Sequence, residues 1–208
     1  MGVPSLAQAG RDVVVLSDRF FSGRNIHVVY NPTHQQHAGN TVGFARDALR
    51  MKAVDGGATS KQAYLLAQLW LDHLNANPQA KFLQVAHSEG AVHLNGALRL
   101  LVQAGAGRFL DRIRVLTLCP AHFINQAMYP AGLQAINFVK MEDRTINPWG
   151  TGAPVTGRRI GAHVRVVEHR VRQDDHHNDP HDFMSWDYVD AARSSIESFI
   201  QTGDIILP

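Results

Sequence analysis

The chain has a single cysteine, Cys119, which excludes a disulfide within it and frees the fold from any need for an oxidising compartment. Placed after an apolar run, that thiol reads as a small buried residue. No apolar run approaches the roughly 20 residues of a membrane-crossing helix, and the N-terminus lacks the basic-then-apolar layout of a secretion signal. A soluble chain is expected, either whole or as a domain cut from a longer protein. Neither sign of charge predominates, with 20 Lys and Arg against 18 Asp and Glu, net +2. The arginines are scattered and form no stripe interleaved with aromatics, so nucleic acid is a poor expected partner. Internal repeats are absent too. Residues 1–208 are therefore read as one domain, long enough to bury a sheet between helices but without room for a large lid domain.

What the sequence does contain is an abrupt change of period at Ser88. Residues 82–85, of mixed apolar character, read as a buried strand, and Ala91, Leu94, Ala97, Leu98 and Leu101 then recur at helical spacing. Between them stands Ala86-His87-Ser88-Glu89-Gly90. A strand that turns into a helix within two residues holds its corner in a strained backbone, which favours small neighbours such as Ala86, Gly90 and Ala91. The pattern is that of a nucleophile elbow, with Ala86 where glycine usually stands. Such a turn lifts the serine oxygen clear of the sheet and aims the first N–H groups of the helix at the same space. Read as bland structure, the same five residues are an ordinary glycine-containing turn.

Around this turn the chain alternates strand and helix. Residues 5–23 are read as a helix, although Val13-Val14-Val15 would also suit a strand. A strand at 25–30 closes at Asn31-Pro32. The long loop 33–58 is the only candidate for a substrate cover. Thr59 with Gln62 makes a capping-box start for a helix whose buried face is Ala63, Leu66, Ala67, Trp70 and Leu74, ending at Asn77-Pro78. Further strands are expected at 112–118, 135–139 and 163–171, and a closing helix carries Val189, Ala192, Ile196, Phe199 and Ile200. The expected fold class is α/β, a three-layer sandwich whose mostly parallel sheet has about five or six strands.

AHSEGAVHLNGAL resembles the elbow of the α/β-hydrolase superfamily, as found in serine esterases, lipases and cutinases. More narrowly, NIHVVYNPTH, AHSEGAVHLNGAL with RIRVLTLCPAHFI, and PHDFMSWDY are similar to a poorly characterised family of mainly chlamydial proteins. The resemblance implies a hydrolase fold more firmly than it implies hydrolysis. In hydrolase sheets the nucleophile is followed by an acid after a later strand and by a histidine after the last strand. Asp143 and His181 stand in those places, so the expected catalytic set is Ser88, Asp143 and His181. One oxyanion donor is expected at the N–H of Glu89, directly after the nucleophile. The other is expected from the turn after the 25–30 strand, where Pro32 has no N–H and Thr33 is preferred to Asn31.

The expected substrate is an acyl ester, small or lipid-like, with no cofactor and no metal. Two rivals stand beside this reading. A hydrolase-like fold can serve as a non-catalytic binding module. Alternatively, Asp174, Asp175, His176, His177, Asp179 and His181 crowd one loop and are metal-ligand types, although their spacing matches no closed structural site. His34 and His37 read as polar loop residues, His87 as a local packing or hydrogen-bonding residue, and His93 as a helix-surface or packing residue.

Overall fold

Odd and even residues along the central strands enter two different cores, and this alternation sets the architecture. The computed structural model describes residues 59–129, 132–140, 163–168, 170–171 and 186–207, with residues 11, 14, 15, 17 and 18 of a helical N-terminal stretch. Four strands, β1 (Phe82–His87), β2 (Ile113–Leu118), β3 (Gln134–Val139) and β4 (Val164–Val166), form one sheet in the order β1-β2-β3-β4. Every pairing is parallel. The helices described in full beside them are α1 (Lys61–Ala76), α2 (Gly90–Gln103) and α3 (Trp186–Thr202).

On one face, Ala86, Ile113, Val115 and Ala135 pack with α1 and α2 through Leu66, Trp70, Leu94, Leu98 and Leu101. On the other, Leu116, Leu118, Ile136 and Phe138 pack with α3 through Tyr188, Val189, Ala192 and Ile196. A two-residue period on strands that are apolar at both phases requires cover on both sides. That is the three-layer α/β arrangement the sequence implies. Fully burying one such Leu or Ile contributes about 1.5–3 kcal/mol, so either face alone is a substantial part of the stability of a domain this size.

Local chemistry fixes the ends of the elements. Ser60 caps α1, its side chain accepting from the Ala63 N–H at 3.0 Å; the cap lies one residue beyond the Thr59 expected from the sequence. The C-terminus of α1 is held by Arg112, which donates to the carbonyls of Leu74, Asn77 and Pro78. Close approach of α1 and α2 depends on Gly96, where an added Cβ would stand 3.0 Å from the Ala63 Cβ. The last expected strand is shorter than its 163–171 pattern. β3 ends at Val139, and the Val167 N–H to Val139 carbonyl bond (2.7 Å) is the last that joins β4 to it among the described residues. The expected strand at 25–30 and the loop 33–58 lie outside the described residues.

Asn137, fully buried in β3, uses its whole hydrogen-bonding capacity. Its side-chain oxygen accepts from the Thr117 hydroxyl (2.9 Å) and the Ile124 N–H (2.8 Å), while its amide donates to the carbonyls of Ile124 (3.1 Å) and His163 (3.0 Å). One side chain thus joins β2, the crossover after it, and the entry to β4.

At the opposite end of the sheet from the elbow, Asp204 receives Lys81 Nζ (2.9 Å) and the Arg114 guanidinium (2.6 Å). Those two hydrogen-bonded cations hold its carboxyl below the usual carboxylate range. A depressed folded-state pKa contributes stability above the unfolded value of about 3.9, lost as pH falls through the folded value. The Asp204 side chain is 44% exposed, so solvent screens the pairs, and Asp204→Asn is expected to cost less than about 1 kcal/mol at pH 7. The difference from wild type should shrink below about pH 4, as checked by urea unfolding at pH 7 and pH 3.

Candidate functional site

Parallel pairing brings the carboxyl ends of all four strands to one edge, where ligands of open α/β sheets are bound. Ser88 follows β1 at this edge, Cys119 follows β2 and Lys140 follows β3. Ser88 and Cys119 are the non-glycine residues with positive φ among the described residues, at 50° and 45°. Each left-handed residue of this kind costs on the order of 1–3 kcal/mol and persists where its surroundings over-determine it.

At Ser88 the over-determination is explicit. Its N–H donates to the Leu118 carbonyl at 3.1 Å, and its carbonyl accepts from the N–H groups of Ala91 and Ala121, both at 3.1 Å. The strand bond fixes the peptide before Ser88, and the helix and crossover bonds share the carbonyl of the peptide after it, so the left-handed corner is held on both sides. Glu89 follows with helical backbone angles, φ −57° and ψ −27°, and α2 begins at Gly90. This is the strand-corner-helix geometry expected from the sequence. Ala86 in place of glycine is accommodated, because a Cβ built on Gly90 would meet the Ala86 Cβ at an ordinary 3.8 Å.

Beside the elbow lie charged groups that the sequence did not single out. Lys140 is buried, with Nζ 3.1 Å from Asp187 Oδ2 and 4.5 Å from the Tyr188 ring centroid. Asp187 also accepts from the Arg170 N–H at 3.0 Å, and Tyr188 Oη lies 2.7 Å from Cys119 Sγ. The first turn of α3 is thereby fastened to the segments that leave β2, β3 and β4. A buried ion pair of this kind depends on both partners, since removing one leaves a charge in a low dielectric. The sequence does not single out Lys140, because no local pattern reports a partner this far along the chain.

A second buried group joins α1 to α2. Ser60 Oγ is 2.8 Å from His93 Nδ1, and His93 Nε2 is 3.4 Å from Glu89 Oε1. Glu89, His93 and Ser60 are all buried, at 4, 5 and 6% exposure. Of the two readings of His93, surface or packing, the packing one is correct.

Of the expected site residues, the structure describes Ser88 and Glu89, adjacent at the start of α2; Asp143, His181 and Thr33 lie outside the described residues, as does the 173–181 loop. Among the described residues no group of three or more His, Cys, Asp or Glu gathers where it would hold a metal ion, and no helix is long and apolar enough to cross a membrane. No protein-family model, curated protein or solved structure matches the chain.

The strain at Ser88 has a measurable signature. Glycine adopts positive φ without the Cβ penalty, so Ser88→Gly is expected to raise stability by about 1 kcal/mol in urea unfolding. A loss of stability would mean that the hydroxyl, rather than the backbone bonds, holds the corner.

Proposed function

We propose that the protein is a serine hydrolase that cleaves a carboxylic ester through an acyl-enzyme on Ser88. The observation that carries this reading is the left-handed backbone of Ser88, held between a parallel strand and a helix at the carboxyl edge of the sheet. Strain retained at a serine in this position is what presentation of a nucleophile requires. The sequential strand order supports the same reading, because the acid and base of a hydrolase sheet follow later strands at the same edge. Three peptide links keep Asp143 within roughly 11 Å of Lys140, and five keep His181 within roughly 18 Å of Trp186. Lys140 and the first turn of α3 are joined at that edge by the ion pair to Asp187.

The chemistry follows from those roles. His181 takes the proton from the Ser88 hydroxyl as the oxygen attacks the ester carbonyl. Asp143 holds the imidazole in the tautomer that can accept that proton and stabilises the imidazolium. The tetrahedral oxyanion is met by the N–H of Glu89 and by that of Thr33. Collapse expels the alcohol, which receives the proton from His181, and water repeats the sequence to release the acid. With no separate lid domain in the reading, soluble esters of short and medium acyl chain are the preferred substrates.

The test is steady-state hydrolysis of nitrophenyl esters graded by chain length. Ser88→Ala should abolish turnover, and Asp143→Asn should lower kcat by roughly 10⁴, the scale of a mis-set tautomer. Asn at 174, 175, 179 or 182 should cost far less, and exhaustive chelation should leave activity unchanged. A folded wild-type protein without ester turnover would return the reading to a non-catalytic binding module. Chelator-sensitive activity restored by zinc would move the site to the 173–181 loop.

A further inference from the structure

One carboxylate oxygen, Asp187 Oδ2, collects donors from parts of the chain that leave two different strands. Lys140 Nζ, directly after β3, lies 3.1 Å from it, and the Arg170 N–H, beyond β4, donates to it at 3.0 Å. Asp187 itself stands in the first turn of α3. The ion pair is withdrawn from water, the Lys140 and Asp187 side chains being 0% and 7% exposed. Tyr188, the next residue and fully buried, presents its ring to the same ammonium at 4.5 Å. Two consecutive residues of one helix turn thus receive Lys140.

Where this junction falls along the chain matters as much as its chemistry. Arg170 and Asp187 bound the stretch 171–186, which carries His181, and the hydrogen bond between them closes that stretch at its base. Lys140 stands three residues before Asp143. The same oxygen therefore sets the base of the histidine-bearing stretch against the end of the strand that leads to the expected acid. Stability alone is a poor reason for such a pair. Taking two charges out of water costs about what their attraction returns, and apolar residues of similar volume often serve stability as well or better. What an apolar pair lacks is direction, which donors converging on one charged oxygen supply.

Building on the hydrolase reading, we infer that Asp187 is a positioning residue for the reaction at Ser88, with Lys140 as its charged partner. By gathering Lys140 and the Arg170 peptide on one oxygen, it holds the segments that carry Asp143 and His181 at the spacing the proton transfer needs. A displacement of about 1 Å among reacting groups can cost on the order of 100-fold in rate. The junction acts through the acid and the base rather than on the ester, so its contribution falls on kcat and not on KM.

The experiment compares kcat and KM for a soluble nitrophenyl ester in wild type, Lys140→Met, Asp187→Leu, Asp187→Asn and the Lys140→Met/Asp187→Leu double variant, each with its urea midpoint. Asp187→Leu leaves the ammonium buried without its carboxylate, so both the midpoint and kcat should fall. The double variant removes both charges and should recover the midpoint. Its kcat should nevertheless stay on the order of 10–100-fold below wild type, with KM little changed. A structural role alone predicts that kcat returns with the midpoint. Asparagine at 187 keeps an acceptor oxygen in the same place and should retain several-fold more kcat than leucine. Should both leucine variants fail to fold, Lys140→Met removes only one of the two donors and should lower kcat several-fold at unchanged KM. Wild-type kcat in the folded double variant or in Lys140→Met, or no advantage of asparagine over leucine at 187, would overturn the inference and leave the nucleophile assignment standing. Wild-type protein without Ser88-dependent turnover would instead overturn the hydrolase reading, and this inference with it.

Discussion

Ser88 is held in a left-handed backbone by three main-chain hydrogen bonds that come from three different parts of the fold: the end of β2, the first turn of α2 and the crossover after β2. The corner therefore exists only where β1 and β2 are already paired in register, with His87 opposite Leu118. A one-residue slip would send the Leu118 carbonyl elsewhere and exchange the residues facing the two cores. Register, corner and core are one constraint. It explains why so small a turn can store strain without the surrounding chain relaxing, since close-packed interiors adjust little.

The same logic repeats one strand along. Cys119 is left-handed at the end of β2, with its N–H on the Phe138 carbonyl at 3.0 Å. Its sulfur meets Tyr188, whose ring in turn faces the Lys140 ammonium. The carboxyl edge is thus built outward from β1 to β3 by a series of corners, each secured by the strand beside it, and the Lys140–Asp187 pair closes it by attaching α3. Asn137, with all four of its amide hydrogen-bonding positions used within the sheet and its crossovers, keeps the sheet spacing fixed beneath that edge. A buried polar group that is fully satisfied can specify a single arrangement in this way.

Much of this arrangement was legible in the sequence because it rests on period. The buried face of α1, the switch at Ser88, and the strands of the sheet's interior all follow from apolar spacing, which reports burial directly. The failures have physical reasons. The cap of α1 falls on Ser60 and not Thr59 because both side chains are cap formers, and only the geometry of the Ala63 N–H separates them. β4 is shorter than its apolar pattern, and among the described residues its pairing runs only as far as the end of β3. Lys140 drew no reading from its local pattern, since the carboxylate that neutralises it in the interior comes from α3. His93 sits at an ambiguous position on an amphipathic helix, and its partners Ser60 and Glu89 become visible only once α1 and α2 are packed together. Spacing in one chain reports which faces are buried; it does not report which polar groups meet there.

The central claim is that the strained corner at Ser88 presents a reactive nucleophile. The most direct measurement is to treat the folded protein with a fluorophosphonate and map the adduct by peptide mass spectrometry. A single phosphonyl group on the Ser88 hydroxyl, absent after denaturation before treatment, is the predicted result. An unmodified Ser88 in folded protein, or modification spread over other serines at equal rates, would contradict it.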